Sequence, residues 1–339
     1  MDWSQKHILV TGGASFISSH LIDHLTARGA RRIRVVDDLS SGRLSNLQGH
    51  IDAGIVEFRK ADLLAPGVAQ QSVEGIDVVF HLAAIHGGRG FVDLHQAACA
   101  QNLAMDGMLI KAAYEAGVSK FVFASSGCVY PNHLQTDVEQ ELYLTEDMVG
   151  PPYDADNLYG WAKLMAELTL KAYAKDFGLK AASCRFFTVY GERGVENHAV
   201  IAMIARAFVR QNPFEVWGDG TQIRNWTYVG DIARGMVLAA EKIDDGTAVN
   251  LGTEERTRVI DAVHEVLRYT SREAEIKLLP HMPTGPLNRV ASNRLAKELL
   301  GWQPEMRFLD GLHRTIDWYF ATREEEKVSG YLAEMLTER

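Results

Sequence analysis

Between residues 7 and 187 the chain alternates short apolar runs with stretches of helical spacing, and no other feature constrains its fold as tightly. The runs are His7-Ile8-Leu9-Val10, 32–36, 55–58, 78–82, 121–124 and 182–187, rich in Val, Ile and Phe as strands are. A strand reaches a parallel neighbour only through a crossover long enough to hold a helix, so repetition of this unit predicts an α/β chain with a doubly wound parallel sheet. The first run ends in Thr11-Gly12-Gly13-Ala14-Ser15-Phe16-Ile17-Ser18, and Leu21, Ile22 and Leu25 then recur at helical spacing. A glycine turn therefore joins the first strand to the first helix.

Such a sheet is the Rossmann architecture, to which residues 1–190 are assigned. Beyond residue 190 the alternation loosens into a helix at 200–209, a short strand and turn at 215–220, an amphipathic helix at 231–241, a Pro- and Gly-bearing segment at 279–286, and helices near 293–300 and 309–320. These read as a smaller substrate-binding region, 191–325, interleaved with the first domain, rather than as another sheet. Residues 326–339 read as a C-terminal tail, and Glu324-Glu325-Glu326 as a solvated helix face.

The 339 residues, 47% of them hydrophobic, suffice for two domains. Lys and Arg number 35 against 44 Asp and Glu, a formal charge of −9, and no long basic run interrupts the balance, which argues against nucleic-acid and anionic-membrane binding. Any anionic ligand must then meet local positive charge. Cys99, Cys128 and Cys184 are too far apart for a disulfide framework or a zinc cluster, so no metal is expected and a reducing compartment fits. The segment from Met1 to His7 lacks the basic and then apolar pattern of a secretory signal, and no run approaches a membrane span; a cytoplasmic protein is expected.

Backbone N–H groups of Gly12 and Gly13 at a helix N-terminus suit a pyrophosphate. The usual pattern has glycine where Ser15 and Ser18 stand, so both side chains are expected where the backbone approaches the phosphates or the neighbouring strand. Asp37 closes the second strand nearly twenty residues after the turn, the position from which a carboxylate accepts ribose hydroxyls and repels a 2′-phosphate. NAD is favoured over NADP.

Tyr159 and Lys163 lie four apart and share one helix face. A free phenol titrates near 10, so Lys163 and a cationic nicotinamide are expected to favour the phenolate that a base requires. Ser125 and Ser126 follow a buried strand about thirty residues upstream, where a hydroxyl can bond to the reacting oxygen.

With these residues in this order, the chain resembles the extended short-chain dehydrogenase/reductase family, specifically its NAD-dependent nucleotide-sugar epimerases and dehydratases. The resemblance spans nearly the whole chain. It implies Ser126, Tyr159 and Lys163 as the catalytic trio and a cofactor site of Gly12, Gly13, Ser15, Phe16, Ile17, Asp37, Asp62, Leu63, Leu82, Ala83, Ala84, Tyr159 and Lys163. It implies a homodimer and a nucleoside-diphosphate sugar as substrate. Arg224, in Trp217-Gly218-Asp219-Gly220-Thr221-Gln222-Ile223-Arg224, and Arg289 are similar to the family's diphosphate-binding arginines.

The family's dehydratases carry Asp-Glu after the catalytic hydroxyl residue, where this chain has Gly127-Cys128. The Ala-Ser-Ser-Gly-Cys-Val-Tyr-Pro segment is similar instead to the GDP-mannose 3,5-epimerase branch, where the cysteine is an acid/base. That branch is also similar at the sugar-side loop His86-Gly87-Gly88-Arg89, which implies Gly88 and Arg89 as substrate-binding. Its partner lysine would fall after Val189-Tyr190-Gly191, and no lysine stands there. Asn197 and His198 do, the first a hydrogen-bonding group and the second a group that ordinarily titrates near neutrality.

The implied reaction is oxidation of a sugar hydroxyl through Tyr159, most simply at C4, followed by Cys128-assisted proton transfer beside the ketone and return of the hydride. Cys128 as an apolar filler and His198 as a helix cap stay open, as do C4 epimerisation of a UDP-glucose or UDP-glucuronate type sugar by ketone rotation, nucleotide-sugar dehydration, and a non-catalytic NAD sensor.

Overall fold

Seven strands, β1 (His7–Thr11), β2 (Arg32–Asp37), β3 (Val56–Lys60), β4 (Val78–His81), β5 (Lys120–Ser126), β6 (Ala181–Phe186) and β7 (Asp245–Leu251), form one parallel sheet in the order β7-β6-β5-β4-β1-β2-β3. The computed structural model describes residues 1–337. The two-residue alternation of a strand sorts its buried side chains between the faces: Ile8 and Val10 enter the core on one face of the sheet, Leu9 the core on the other. The first face is covered by α1 (Phe16–Ala27) and α5 (Val229–Lys242), the second by α2 (Asn102–Glu115) and α3 (Asn157–Phe177). Chain order reverses between β4 and β1, and at such a switch point the strand ends open a crevice for a ligand.

The strand β7 lies outside the runs expected from sequence. Its segment, Asp-Gly-Thr-Ala-Val-Asn-Leu, has Gly246 at φ +79° and a register shift between Asp245 and Ala248 that breaks the alternation. It becomes a strand because β6 offers it a buried edge, with Val249 and Leu251 fully enclosed.

After residue 190 the chain builds α4 (Ala199–Phe208) and three small sheets. Phe214–Trp217 pairs with Ile276–Leu279, and Thr227–Tyr228 with Val189–Tyr190. Ile223–Arg224 lies between Thr257–Arg258 and Asn288–Arg289, which sets Arg224 directly opposite Arg289. Glutamates 324–326, at the entry to the last helix α6 (Glu325–Thr337), are exposed, but Val328 and Leu332 enter the core and the Tyr331 hydroxyl donates to Glu196 at 3.0 Å. Among the described residues no helix is long and apolar enough to cross a membrane.

Candidate active site

A cavity of 820 Å³ opens at the carboxyl ends of β1, β2, β4 and β5, a volume usual for small-molecule sites. It gathers every site residue expected from sequence except Gly13. Gly13 faces the core, where a Cβ would stand 2.7 Å from the Val35 side chain, so its smallness serves strand–helix packing.

The turn end of the cavity has the shape of a dinucleotide cradle. Gly12 adopts φ +64°, and a Cβ there would lie 3.0 Å from the Ala83 backbone, a close approach of two strand ends that glycine alone permits. Asp37 accepts N–H bonds from Ala14 at 3.0 Å and Leu39 at 2.8 Å. Burial still pushes its carboxyl above the ordinary range, against those donors and the Ser15 hydroxyl. The Ser15 side chain is thus turned toward Asp37.

A network that sequence reasoning missed fixes the neighbouring strand end. Thr11 Oγ1 accepts the N–H groups of Leu82 and Ala83, both at 3.1 Å. With its lone pairs taken, its hydrogen goes to His81 Nδ1 at 2.7 Å, which leaves Nε2–H to donate to Asp106 Oδ1 at 3.0 Å. His81 is therefore the neutral Nε2–H tautomer, and Ala83 is held where Gly12 meets it.

At the other end, Tyr159 and Lys163 both line the cavity from α3. They are no surface pair: Lys163 is 2% exposed, its Nζ 4.6 Å over the Phe123 ring and 5.8 Å from the Tyr159 ring centroid. The sequence expectation for the phenol relies on a cationic nicotinamide as well as on Lys163, and the chain by itself supplies only the second. Burial, with Cys128, Asp106 and Cys99 acting in the same direction, holds the phenol above its ordinary value, and the hydrogen bond from Ser126 is too weak an opposing influence. Burial likewise pushes Lys163 down. Lys163 alone does not lower the phenol in this pocket.

Cys128 sits in the turn Gly127–Val129 after β5, its N–H donating to Ser126 Oγ at 3.1 Å. Its carbonyl accepts the Asp156 N–H at 2.8 Å, and Gly160 packs directly on it, so the turn is docked to the first turn of α3. Asp156 holds the N-cap position but makes no capping bond. Its carboxylate accepts from Arg89 at 2.7 Å and Arg289 at 3.0 Å, which outweigh burial and hold it below the ordinary range. Arg289 also donates to Gln135 at 2.7 Å and toward the Cys128 sulfur at 3.3 Å, so the structure brings this arginine to the thiol.

Among the described residues Arg224 donates only to the carbonyls of Ile223 and Thr284, both at 2.8 Å, and burial with the nearby Arg289 and Arg89 lowers it to about 9. Three guanidiniums thus stand near one another with Asp156 and, on Arg89, Asp93 as counter-charges. The balance calls for an anion. Gly285, at φ +70°, lets the 283–286 loop close over Arg89, where a Cβ would stand 3.0 Å from the guanidinium. Gly88, at the N-cap of the helix Arg89–Leu94, opens the same wall.

His198 stands at the N-cap of α4 yet makes no capping bond. Its ring faces His86 edge to face, centroids 6.0 Å apart, and Phe16 at 6.2 Å. Burial lowers His198 to about 4 and, with the His198 charge adding, His86 to about 3, so neither titrates near neutrality and both are neutral proton acceptors at pH 7. Asn197 presents a buried Oδ1 without a partner among the described residues.

Comparison with known proteins decides the family. The model of the NAD dependent epimerase/dehydratase family matches residues 8–252. The chain belongs to that family. It is a Rossmann-fold enzyme, and NAD is its cofactor. This member is 33% identical over 328 residues to GDP-mannose 3,5-epimerase 1 of Oryza sativa subsp. japonica, covering 95% of this chain and 84% of that enzyme. It is also 33% identical, over 91% of its length and 96% of the relative's, to an uncharacterised UDP-glucose epimerase of Bacillus subtilis (strain 168). The crystal structure of UDP-glucuronic acid 4-epimerase from Bacillus cereus, in complex with UDP-glucuronic acid and NAD, superposes with a TM-score of 0.82 at 29% identity, covering 92% and 98% of the two chains.

Proposed function

We propose that this enzyme epimerises a nucleoside-diphosphate sugar through a keto-sugar intermediate, with Cys128 moving a proton beside the ketone. NAD-dependent epimerisation of a nucleotide sugar is the reaction class; the Cys128 step is the finer reading. The observation that carries it is the convergence of Tyr159, Ser126, Lys163, Cys128 and Arg289 on one end of a cavity whose middle wants an anion.

Gly12, Ser15, Phe16, Ile17, Asp37, Asp62, Leu63, Leu82, Ala83 and Ala84 would hold NAD. Bound there, NAD would supply hydride acceptance and return, together with the positive charge of its oxidised ring near the Tyr159 phenol. Tyr159, with Ser126 against its oxygen and Lys163 beside its ring, takes and returns the proton of the sugar hydroxyl. The resulting ketone acidifies the neighbouring C–H, and Cys128 takes that proton with the Arg289 cation against its sulfur. His198, neutral and facing His86, relays the returning proton on the opposite side in place of the absent lysine, giving its N–H proton to carbon as its other ring nitrogen takes one from water. Arg224 meets the diphosphate, Gly88 and Arg89 shape the sugar wall, and Asn197 Oδ1 accepts a hydroxyl. Residues 191–325 supply most of this substrate-binding half.

The protein works as a cytoplasmic homodimer in this reading. Leu158, Trp161 and Met165 form an exposed apolar stripe at spacings of three and four along α3, with Leu103 exposed on the adjacent α2.

Turnover of GDP-, UDP-, CDP- and dTDP-sugars in D₂O, read by NMR, tests the mechanism. Deuterium on a carbon next to the oxidised one, lost in Cys128→Ala, supports it. Inversion without solvent deuterium, unaffected by Cys128→Ala, refutes the cysteine step in favour of C4 epimerisation by ketone rotation.

A further inference from the structure

The helix α4 reads Ala-Val-Ile-Ala-Met-Ile-Ala-Arg-Ala-Phe, and Arg206 is its one charged residue. Arg206 is 5% exposed and lines the cavity. Its Nε is buried without a partner, and among the described residues its guanidinium makes no hydrogen bond and no ion pair. A buried cation with no partner is costly, and a cavity wall is where a ligand can supply one. Burial lowers Arg206 to about 10, and Glu215 is the charge that opposes this.

Glu215 shares a face of the strand Phe214–Trp217 with Trp217, and both line the cavity. Lys277 Nζ lies 3.4 Å from its carboxylate. Glu215 and Arg206 are not in contact as an ion pair, so cation and anion face the cavity as separate groups. Val216, Val259 and Val263 also line the cavity and give it apolar surface, the kind of wall a flat ring needs. His198 and Arg206 are eight residues apart along the helix, roughly 12 Å at 1.5 Å per residue. That span separates the reacting end of the cavity from this one.

We propose that Arg206 and Glu215 are the base-reading end of the cavity and that the base they read is guanine. The inference rests on the nucleotide-sugar reading above and deepens it. Guanine presents two adjacent donors, N1–H and the 2-amino group, which engage both oxygens of one carboxylate, and beside them the O6 and N7 acceptors that an arginine fork matches. Uracil and thymine offer a single N–H between two carbonyls, which sets one carboxylate oxygen against a carbonyl. Adenine and cytosine set it against an unprotonated ring nitrogen. A site built to satisfy both groups rejects bases that leave one unpaired.

Calorimetric titration of NAD-loaded protein with GDP, UDP, dTDP, CDP and ADP tests this. GDP is expected to bind at least about 100-fold tighter than UDP, within the discrimination that buried hydrogen-bonding sites reach. Glu215→Gln, which replaces one acceptor by a donor, and Arg206→Met are each expected to weaken GDP by about 10-fold or more and to narrow its lead over UDP. Equal or tighter binding of another nucleotide overturns the guanine assignment and leaves the epimerase reading standing. A GDP preference unchanged in both variants overturns the assignment to these two residues. Failure of every diphosphate to bind overturns both readings.

Discussion

Gly160→Ala probes the contact between the Cys128 turn and the helix that carries Tyr159. In an exposed helix interior this exchange stabilises by roughly 0.8–1 kcal/mol, because alanine forms helix better than glycine. Here the new Cβ would stand 3.0 Å from the Cys128 carbonyl carbon and 3.3 Å from its Cβ, and closer still to the carbonyl oxygen, against a comfortable carbon–carbon separation of about 3.5–4 Å. The oxygen cannot simply turn aside, because it accepts the Asp156 N–H at 2.8 Å. Turn and helix must part by something on the order of 1 Å. Overpacking of this kind costs about 1–3 kcal/mol, which outweighs the propensity gain and leaves a net loss of about 1 kcal/mol. The larger effect is catalytic: a misplacement of about 1 Å between reacting groups costs about 100-fold, or about 2.7 kcal/mol of barrier. The assay is kcat on the nucleotide sugar turned over by the wild type, alongside bound NAD and a thermal melt. A slightly lower melting temperature with kcat down about 100-fold and NAD retained is expected. Wild-type kcat with a raised melting temperature would refute the close docking of Cys128 on α3.

Three further outcomes are expected. Arg289→Lys cannot serve Cys128, Gln135 and Asp156 together, because an ammonium lacks the planar fork, so solvent-deuterium incorporation should fall at least about 10-fold; undiminished incorporation would remove Arg289 from the proton transfer. His198 is lowered from 6.5 to about 4 in the folded protein, so the unfolded chain binds the extra proton between those values and stability should fall as pH drops from about 6.5 toward 4; denaturant titrations should show a flatter pH profile for His198→Asn, and an identical profile would contradict burial of the imidazole. Trp161→Glu places a charge in the exposed stripe of α3 and should halve the mass seen by light scattering from twice 37.7 kDa, whereas a wild type that is already monomeric would reject the interface.

The parts of this protein legible in its sequence are those with a local cause. Short apolar runs and helical spacing mark six of the seven strands, because a strand in a parallel sheet covered on both faces must itself be apolar throughout. The glycine turn, Asp37 and the four-residue spacing of Tyr159 and Lys163 are equally local, since backbone conformation and helix pitch place them without help from distant residues. Tertiary structure alone decided the rest. The β7 segment is a strand through its pairing with β6, against a glycine and a register shift in its own sequence. Arg89 and Asp156 are 67 residues apart and Arg289 and Cys128 161 apart, so nothing in either segment announces the cluster they form. The direction in which a side chain titrates belongs to the same category. Tyr159 rises and His198 falls because enclosure disfavours charge, and enclosure is the work of walls drawn from the whole chain.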